Sequence, residues 1–413
     1  MATNLNLPPK LRLPKIKLSI ARPSSEFYGL LLSLGLGFGL LLFRLSSLTA
    51  GLANSEELNT KHQLFIFSPW WKSLNGIYGP YYALLHLTYA LNRSLYGFRL
   101  TSVIIALLVI FAVYILVSSW HGYKIGLLAS VIVLFNLGLL SVGRKATPLV
   151  SQFLLFAALL LAIAVLNRKP SLLGLILLMF VIAGAFYLPG GIWVALVGIA
   201  LVWRAITSAF KAQKLTAQIL TVLLPLVLLV PLAYQLIAHY QNAQLKTWLG
   251  YNLGNKLSTA GHNFLLNFIR VPGDLFFHSD GLSSALSIGH LPVLPITFSV
   301  LFLLGLISYL TRLANWRWRS VLILMAAGWL VSSFGIISPL ALLPLVSVTT
   351  GTGIAFLLKE WYSIFPRNPI ARNLGLMIMF LVIGLGAVYG ARSYFVAWAN
   401  DPATTSSYNL HLN

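Results

Sequence analysis

The segment GPYYALLHLTYAL, residues 79–91, decides how the rest of the chain is laid out, because it is apolar enough to resemble a membrane span yet only 13 residues long. At 1.5 Å per residue such a helix covers about 20 Å, short of a hydrocarbon core about 30 Å thick. Tyr81, Tyr82 and Tyr89 suit a water–lipid boundary, so the segment reads as a helix lying along the membrane surface.

Charge on either side supports that reading. With 79–91 outside the bilayer, spans fall at about 27–48, 99–120, 125–142, 149–166, 171–188, 190–203, 217–237, 293–310, 320–337, 340–358 and 373–394, eleven in all. Alternate loops then carry Lys124, Arg168 with Lys169, Arg204 with Lys211 and Lys214, Arg312 with Arg317 and Arg319, and Lys359 with Arg367 and Arg372. All fall on the side of the basic N-terminal arm, as expected of cytosolic loops. Making 79–91 a span would throw these downstream clusters to the other side, against the N-terminal arm. The expected fold is therefore an all-α, polytopic integral membrane protein with about 11 transmembrane helices, N-terminus cytosolic, in the cell (plasma) membrane.

Composition agrees. The 413 residues are 58% hydrophobic and only 8% charged, against roughly a quarter charged in soluble domains. The net charge of +21 lies in short clusters between apolar runs rather than on one face, which speaks against a nucleic-acid partner and for membrane lipid. The absence of cysteine excludes disulfides, thiolate nucleophiles and Cys-bound zinc. Neither an internal repeat nor a charge deep in a span is found, which disfavours an ion-coupled carrier.

Three regions follow: a basic arm (1–25), a transmembrane domain (26–397) and a short outer tail (398–413). The first apolar run is longer than a signal peptide's core and reads as a retained anchor. Two long loops, 49–98 and 238–292, face outward, and function is expected there. The second contains TAGHNFLLNFIRV (259–271), whose Phe264, Leu265, Phe268 and Ile269 share a helical face and predict another surface helix.

The chain has seven acidic residues, and Glu56 and Glu57 stand side by side in the first outer loop. Two carboxylates beside a hydrophobic helix fit a general base, a divalent-cation site or a solvated loop. Their setting, with Pro69, Trp70, Trp71 and the helix at 79–91, is that of a structured loop. Asp274 and Asp280 follow in the second loop. Arg144 and Lys145 occupy a short outer turn, SVGRKATP, where a positive pair is unexpected unless it snorkels or meets an anion such as a lipid phosphate.

The order of these features resembles the GT-C fold glycosyltransferases, the superfamily of protein O-mannosyltransferases and lipid A aminoarabinose transferases. In that group an acidic pair follows the first helix, here Glu56-Glu57. A Pro-Tyr surface helix and a Phe-Arg-Leu helix start come next, here Pro80-Tyr81-Tyr82 and Phe98-Arg99-Leu100. An Arg-x-Ala turn follows the third helix, here Arg144-Lys145-Ala146. GDLFFHSDGLSSALSIGHLPVLPITFSVLFLLGLISYL (273–310) also resembles the loop and helix of bacterial members. The resemblance is strongest over 26–166.

It implies an inverting transferase that moves a sugar from a polyprenyl-phosphate donor to an acceptor on the outer face. Glu56 or Glu57 would be the base, with Arg144, Lys145, Arg99, Tyr81, Tyr82, Asp274 and Asp280 binding substrate. Where the family commonly places an acid beside the Arg, this chain has Lys145, and no acid occurs from 58 to 273. No cofactor is expected, and a divalent metal is disfavoured. The other readings are a flippase for lipid-linked saccharide and a non-catalytic binding or scaffold protein.

Overall fold

The computed structural model describes residues 24–48, 52–66, 69–238, 257–278, 282, 286, 288 and 291–411. The basic arm lies, but for its last two residues, outside the described residues, as does Asp280. The described chain is almost wholly helical: α1 Ser25–Leu42, α2 Ser55–Ile66, α3 Gly79–Leu91, α4 Leu95–His121, α5 Tyr123–Leu134, α6 Leu137–Gly143, α7 Val150–Arg168, α8 Leu172–Phe186, α9 Gly191–Lys211, α10 Leu215–Ala238, α11 Leu257–Phe276, α12 Ile296–Leu310, α13 Trp316–Ser333, α14 Leu343–Ile364, α15 Pro369–Arg392 and α16 Pro402–Ser407.

A helix stands at each of the eleven expected spans. Among the described residues seven helices are long and apolar enough to cross a membrane, and α5 with α6 makes an eighth if that bent pair is one span. Of the other expected spans, α8 and α12 are apolar but only 15 residues each, and α13 opens on Arg317 and Arg319. The protein is an integral membrane protein. α3 has the bounds read from the sequence and is separate from α4.

The expected continuous span at 125–142 is broken, with α5 and α6 meeting at 66°. Asn136 is the cause: its side-chain oxygen accepts from Gly138 N at 2.8 Å, restarting the helix, while its amide nitrogen donates to Val293 O at 3.3 Å. A side chain that caps the next turn competes with continuation of the last. The freed Phe135 carbonyl would lie 2.0 Å from a Cβ on Gly390, so α15 approaches the break only because that residue has none. The bend turns α6 sideways, and its end delivers Arg144 and Lys145 beneath the first loop.

The tightest helix pair is α12 with α14. A Cβ on Gly353 would sit 1.9 Å from Leu301 O, and one on Gly305 2.0 Å from Thr349 O. In lipid such close backbone approach replaces the hydrophobic effect as the source of helix attraction.

α11 is the helix expected at 259–271, with its apolar face divided. Phe268 stacks on Trp329 with ring centroids 4.5 Å apart and Phe264 packs on Phe334, whereas Leu265 and Ile269 are exposed. Pro272 has no N–H for the carbonyl of Phe268, four residues before it, and the indole of Trp329 donates to that carbonyl at 2.9 Å.

Candidate functional site

Asn54 begins the site. Its side chain accepts from Glu57 N at 2.9 Å, capping α2 and fixing Glu56 and Glu57 in the first turn, where the helix dipole favours carboxylates. Neighbouring helical residues point about 100° apart, so the two acids face different surroundings.

Glu57 points inward and is fully buried. Its carboxylate takes a two-pronged contact from Arg99, Nε to Oε1 at 2.7 Å and Nη2 to Oε2 at 2.8 Å, and a third bond from Ala146 N at 3.0 Å. Arg99 also donates from Nη1 to Leu45 O at 2.8 Å and from Nη2 to Leu52 O at 3.0 Å. The forked geometry is what a guanidinium offers and an ammonium does not. This carboxylate thus holds together the first loop, the start of α4 and the turn after α6.

Glu56 points outward, its side chain 42% exposed, and Oε2 lies 2.6 Å from Lys145 Nζ. That ammonium is itself buried, and the contact is off the line of a hydrogen bond, so Nζ has no acceptor in hydrogen-bond geometry. Lys145 therefore has donors to spare.

Most of the Arg144 guanidinium is taken up by the protein itself. Nη1 donates to Leu40 O at 2.6 Å and Leu41 O at 3.1 Å, and Nη2 to Phe43 O at 2.6 Å, so the guanidinium seals the carbonyl end of α1. It lies over the rings of Phe395 and Tyr394, at 4.8 and 5.3 Å. Only Nε is left buried without an acceptor.

Tyr81 is one step removed. Its hydroxyl and Ser102 Oγ are 3.0 Å apart, and Ser102 Oγ is 3.5 Å from Thr147 O in the turn beyond Lys145. Tyr82 packs edge-on to Tyr81 at 5.6 Å. Burial pushes the Tyr82 hydroxyl up to about 12 and that of Tyr81 further, so both stay protonated.

A cleft enclosing about 230 Å³ of empty space, part of it open to solvent, is lined by Leu45, Leu48, Arg99, Arg144, Lys145, Tyr394, Trp398 and Tyr408. The last three were not anticipated from sequence. They come from the π-helical turn Ser393–Trp398 after α15 and from the tail, which Ala53 and Leu410 hold against the first loop by mutual backbone hydrogen bonds of 2.8 and 3.1 Å. The signal available was weak: aromatic residues in an otherwise polar stretch. Asp274, buried near the end of α11, does not line this cleft.

The carboxylates here are already paired with nitrogen donors, a poor setting for a divalent ion. Both oxygens of Glu57 are committed to nitrogen donors, Glu56 faces an ammonium, and among the described residues no group of three or more His, Asp or Glu gathers.

No protein-family model matches the sequence, and no curated protein does. Solved structures match nearly its whole length. ArnT from Cupriavidus metallidurans bound to undecaprenyl phosphate aligns with a TM-score of 0.53 at 14% identity, covering 93% of this chain and 77% of that one. The same protein without ligand gives 0.50 at 12%. The Archaeoglobus fulgidus oligosaccharyltransferase in complex with zinc and sulfate gives 0.51 at 12%, covering 93% of this chain, which spans about half (54%) of that one. Both are membrane glycosyltransferases of one architecture, and at these identities the likeness speaks for the fold: this chain has the GT-C fold.

Proposed function

We propose that the protein is a membrane glycosyltransferase that moves a sugar from a polyprenyl-phosphate donor to an acceptor on the outer face of the membrane. The observation that carries this is the pairing of a half-exposed carboxylate, Glu56, with a buried ammonium, Lys145, that itself lines a cleft together with Arg144. The GT-C fold supports it, as does the undecaprenyl phosphate bound to one structural neighbour, ArnT.

In this reading the donor phosphate enters the cleft and competes with Glu56 for Lys145 Nζ, with Arg144 Nε as the second free donor. Glu56, released, accepts the proton of the acceptor hydroxyl. The hydroxyl oxygen attacks the anomeric carbon from the face opposite the phosphate and forms the new glycosidic bond. The bond between that carbon and the phosphate oxygen breaks, its electron pair leaving with the lipid phosphate, whose growing charge Lys145 stabilises. Glu57 takes no proton; it holds Arg99 and the Ala146 amide and so positions Lys145.

The test is transfer by purified protein in liposomes, offered a panel of radiolabelled polyprenyl-phosphate sugars. Transfer abolished by Glu56→Gln supports the enzyme. Donor binding without transfer to any acceptor would instead make the chain a binding protein, and passage of donor across the bilayer a flippase. Orientation is tested with single cysteines. An impermeant thiol reagent should label positions 75 and 94 from outside and spare 212, and labelling at 212 in sealed cells would reverse the assignment.

A further inference from the structure

The tail contributes Tyr408 to the lining of the cleft. Asp401 caps α16 through Ala403 N at 3.2 Å, and Tyr408 N closes the helix on Thr404 O at 3.1 Å. Two residues on, Leu410 exchanges backbone hydrogen bonds with Ala53, three residues before Glu56. Between these ties the ring of Tyr408 is turned inward, edge-on to Trp398 with centroids 5.5 Å apart, and only 3% of the residue is exposed. A tyrosine buried in so polar a stretch calls for a partner at its polar tip.

We propose that residues 402–411 form a strap completing an anion-binding cleft, and that Tyr408 donates its phenolic hydrogen to the phosphate of a bound polyprenyl lipid. This rests on the reading of the cleft as the donor-phosphate site. Every nitrogen of Arg99, which also lines the cleft, already makes a hydrogen bond, whereas Lys145 Nζ and Arg144 Nε make none and are the cationic nitrogens most available to an anion. A phosphate has more acceptor positions than those two donors fill, and Tyr408, which lines the same cleft, brings a further donor. Burial first, and then the nearby Glu57, raises the ionisation of this hydroxyl well above its ordinary value. It therefore stays protonated near neutral pH, a donor and not a base. A neutral donor has a further use here, since it grips phosphate without adding charge that would hold Glu56 in its ion pair.

The experiment titrates full-length protein in detergent with farnesyl phosphate and, separately, with farnesol, which has the same chain and no phosphate. Tyr408→Phe keeps the ring and its contact with Trp398, so the unfolding temperature should hold. Farnesyl phosphate should bind roughly 2- to 10-fold more weakly, the scale of one neutral hydrogen bond, with farnesol unchanged. Ending the chain after Asn400 should weaken phosphate binding at least as much, and serves if Tyr408→Phe fails to fold. If Tyr408→Phe binds farnesyl phosphate as tightly as wild type while Lys145→Gln binds it more weakly, the strap proposal fails and the anion cleft stands. If wild type does not distinguish farnesyl phosphate from farnesol, or neither substitution matters, both fail together.

Discussion

The Glu57–Arg99 and Glu56–Lys145 pairs spring from consecutive residues on one turn of α2, but the first has both partners out of water and the second only its cation. A buried pair is held at the cost of desolvating two ions, and it survives because every lone pair and N–H finds a partner. Around Glu57 and Arg99 that condition is nearly met, with both carboxylate oxygens and all three guanidinium nitrogens hydrogen-bonded. Around Lys145 it is not, and the shortfall lies beside solvent and an open cleft. The inner pair is frame, and in the proposed function the outer one is the working surface.

Removing Glu57 should therefore have the largest effect. Glu57→Ala strands a buried guanidinium, and breaking such a pair costs about 3–5 kcal/mol. The expected result is a protein that fails to accumulate or melts many degrees lower in detergent, followed by fluorescence-detected gel filtration. A wild-type melting profile would erase the distinction between the pairs. Glu56→Gln should do the opposite, melting within about 1 kcal/mol of wild type because a half-exposed ion pair contributes little, while turnover falls on the order of 10² to 10⁴. Undiminished transfer by this variant would remove Glu56 from the chemistry. Lys145→Gln should weaken donor binding about tenfold, as expected for one hydrogen bond to a charged group, and Lys145→Glu further. Equal binding by both would show that Lys145 does not meet the phosphate. The smallest expected effect is none at all: transfer should survive EDTA, and activity lost on chelation and restored by Mg²⁺ or Mn²⁺ would mean that a metal takes the role given to Lys145.

The helices were legible because each apolar run is long and bounded by Lys, Arg, Pro or Asn. What each helix packs against was not. α10 and α14 are both strongly apolar, yet α10 has 11% of its apolar window buried and the stretch ending in α14 has 83%. Hydropathy measures compatibility with lipid, and a helix interior is no more apolar than lipid. The difference lies in small and hydroxyl residues such as Thr349, Thr350, Gly351, Thr352 and Gly353 of α14.

At the site, the motif residues Glu56, Glu57, Arg99, Arg144 and Lys145 do come together. Their division of labour was hidden, because adjacent letters on a helix look alike in sequence and face different ways in space. Arg144 reads simply as an anion ligand until the carbonyls of Leu40, Leu41 and Phe43 are seen to claim its two Nη atoms, leaving Nε alone for that part. The contribution of Tyr394, Trp398 and Tyr408 was missed because closure by residues so far along the chain from the first loop leaves no local pattern.

The spacing of these contacts also sets an order of manufacture. The carbonyl end of α1 leaves the ribosome about a hundred residues ahead of Arg144, which seals it, and Glu57 precedes Arg99 by 42 residues and Ala146 by 89. A nascent first span thus waits with bare carbonyls, best tolerated near water, until α6 is inserted and its following turn swings in. The rung between Ala53 and Leu410 can form only after all the membrane helices between them have been made, so the cleft is assembled from its cationic floor upward and roofed last.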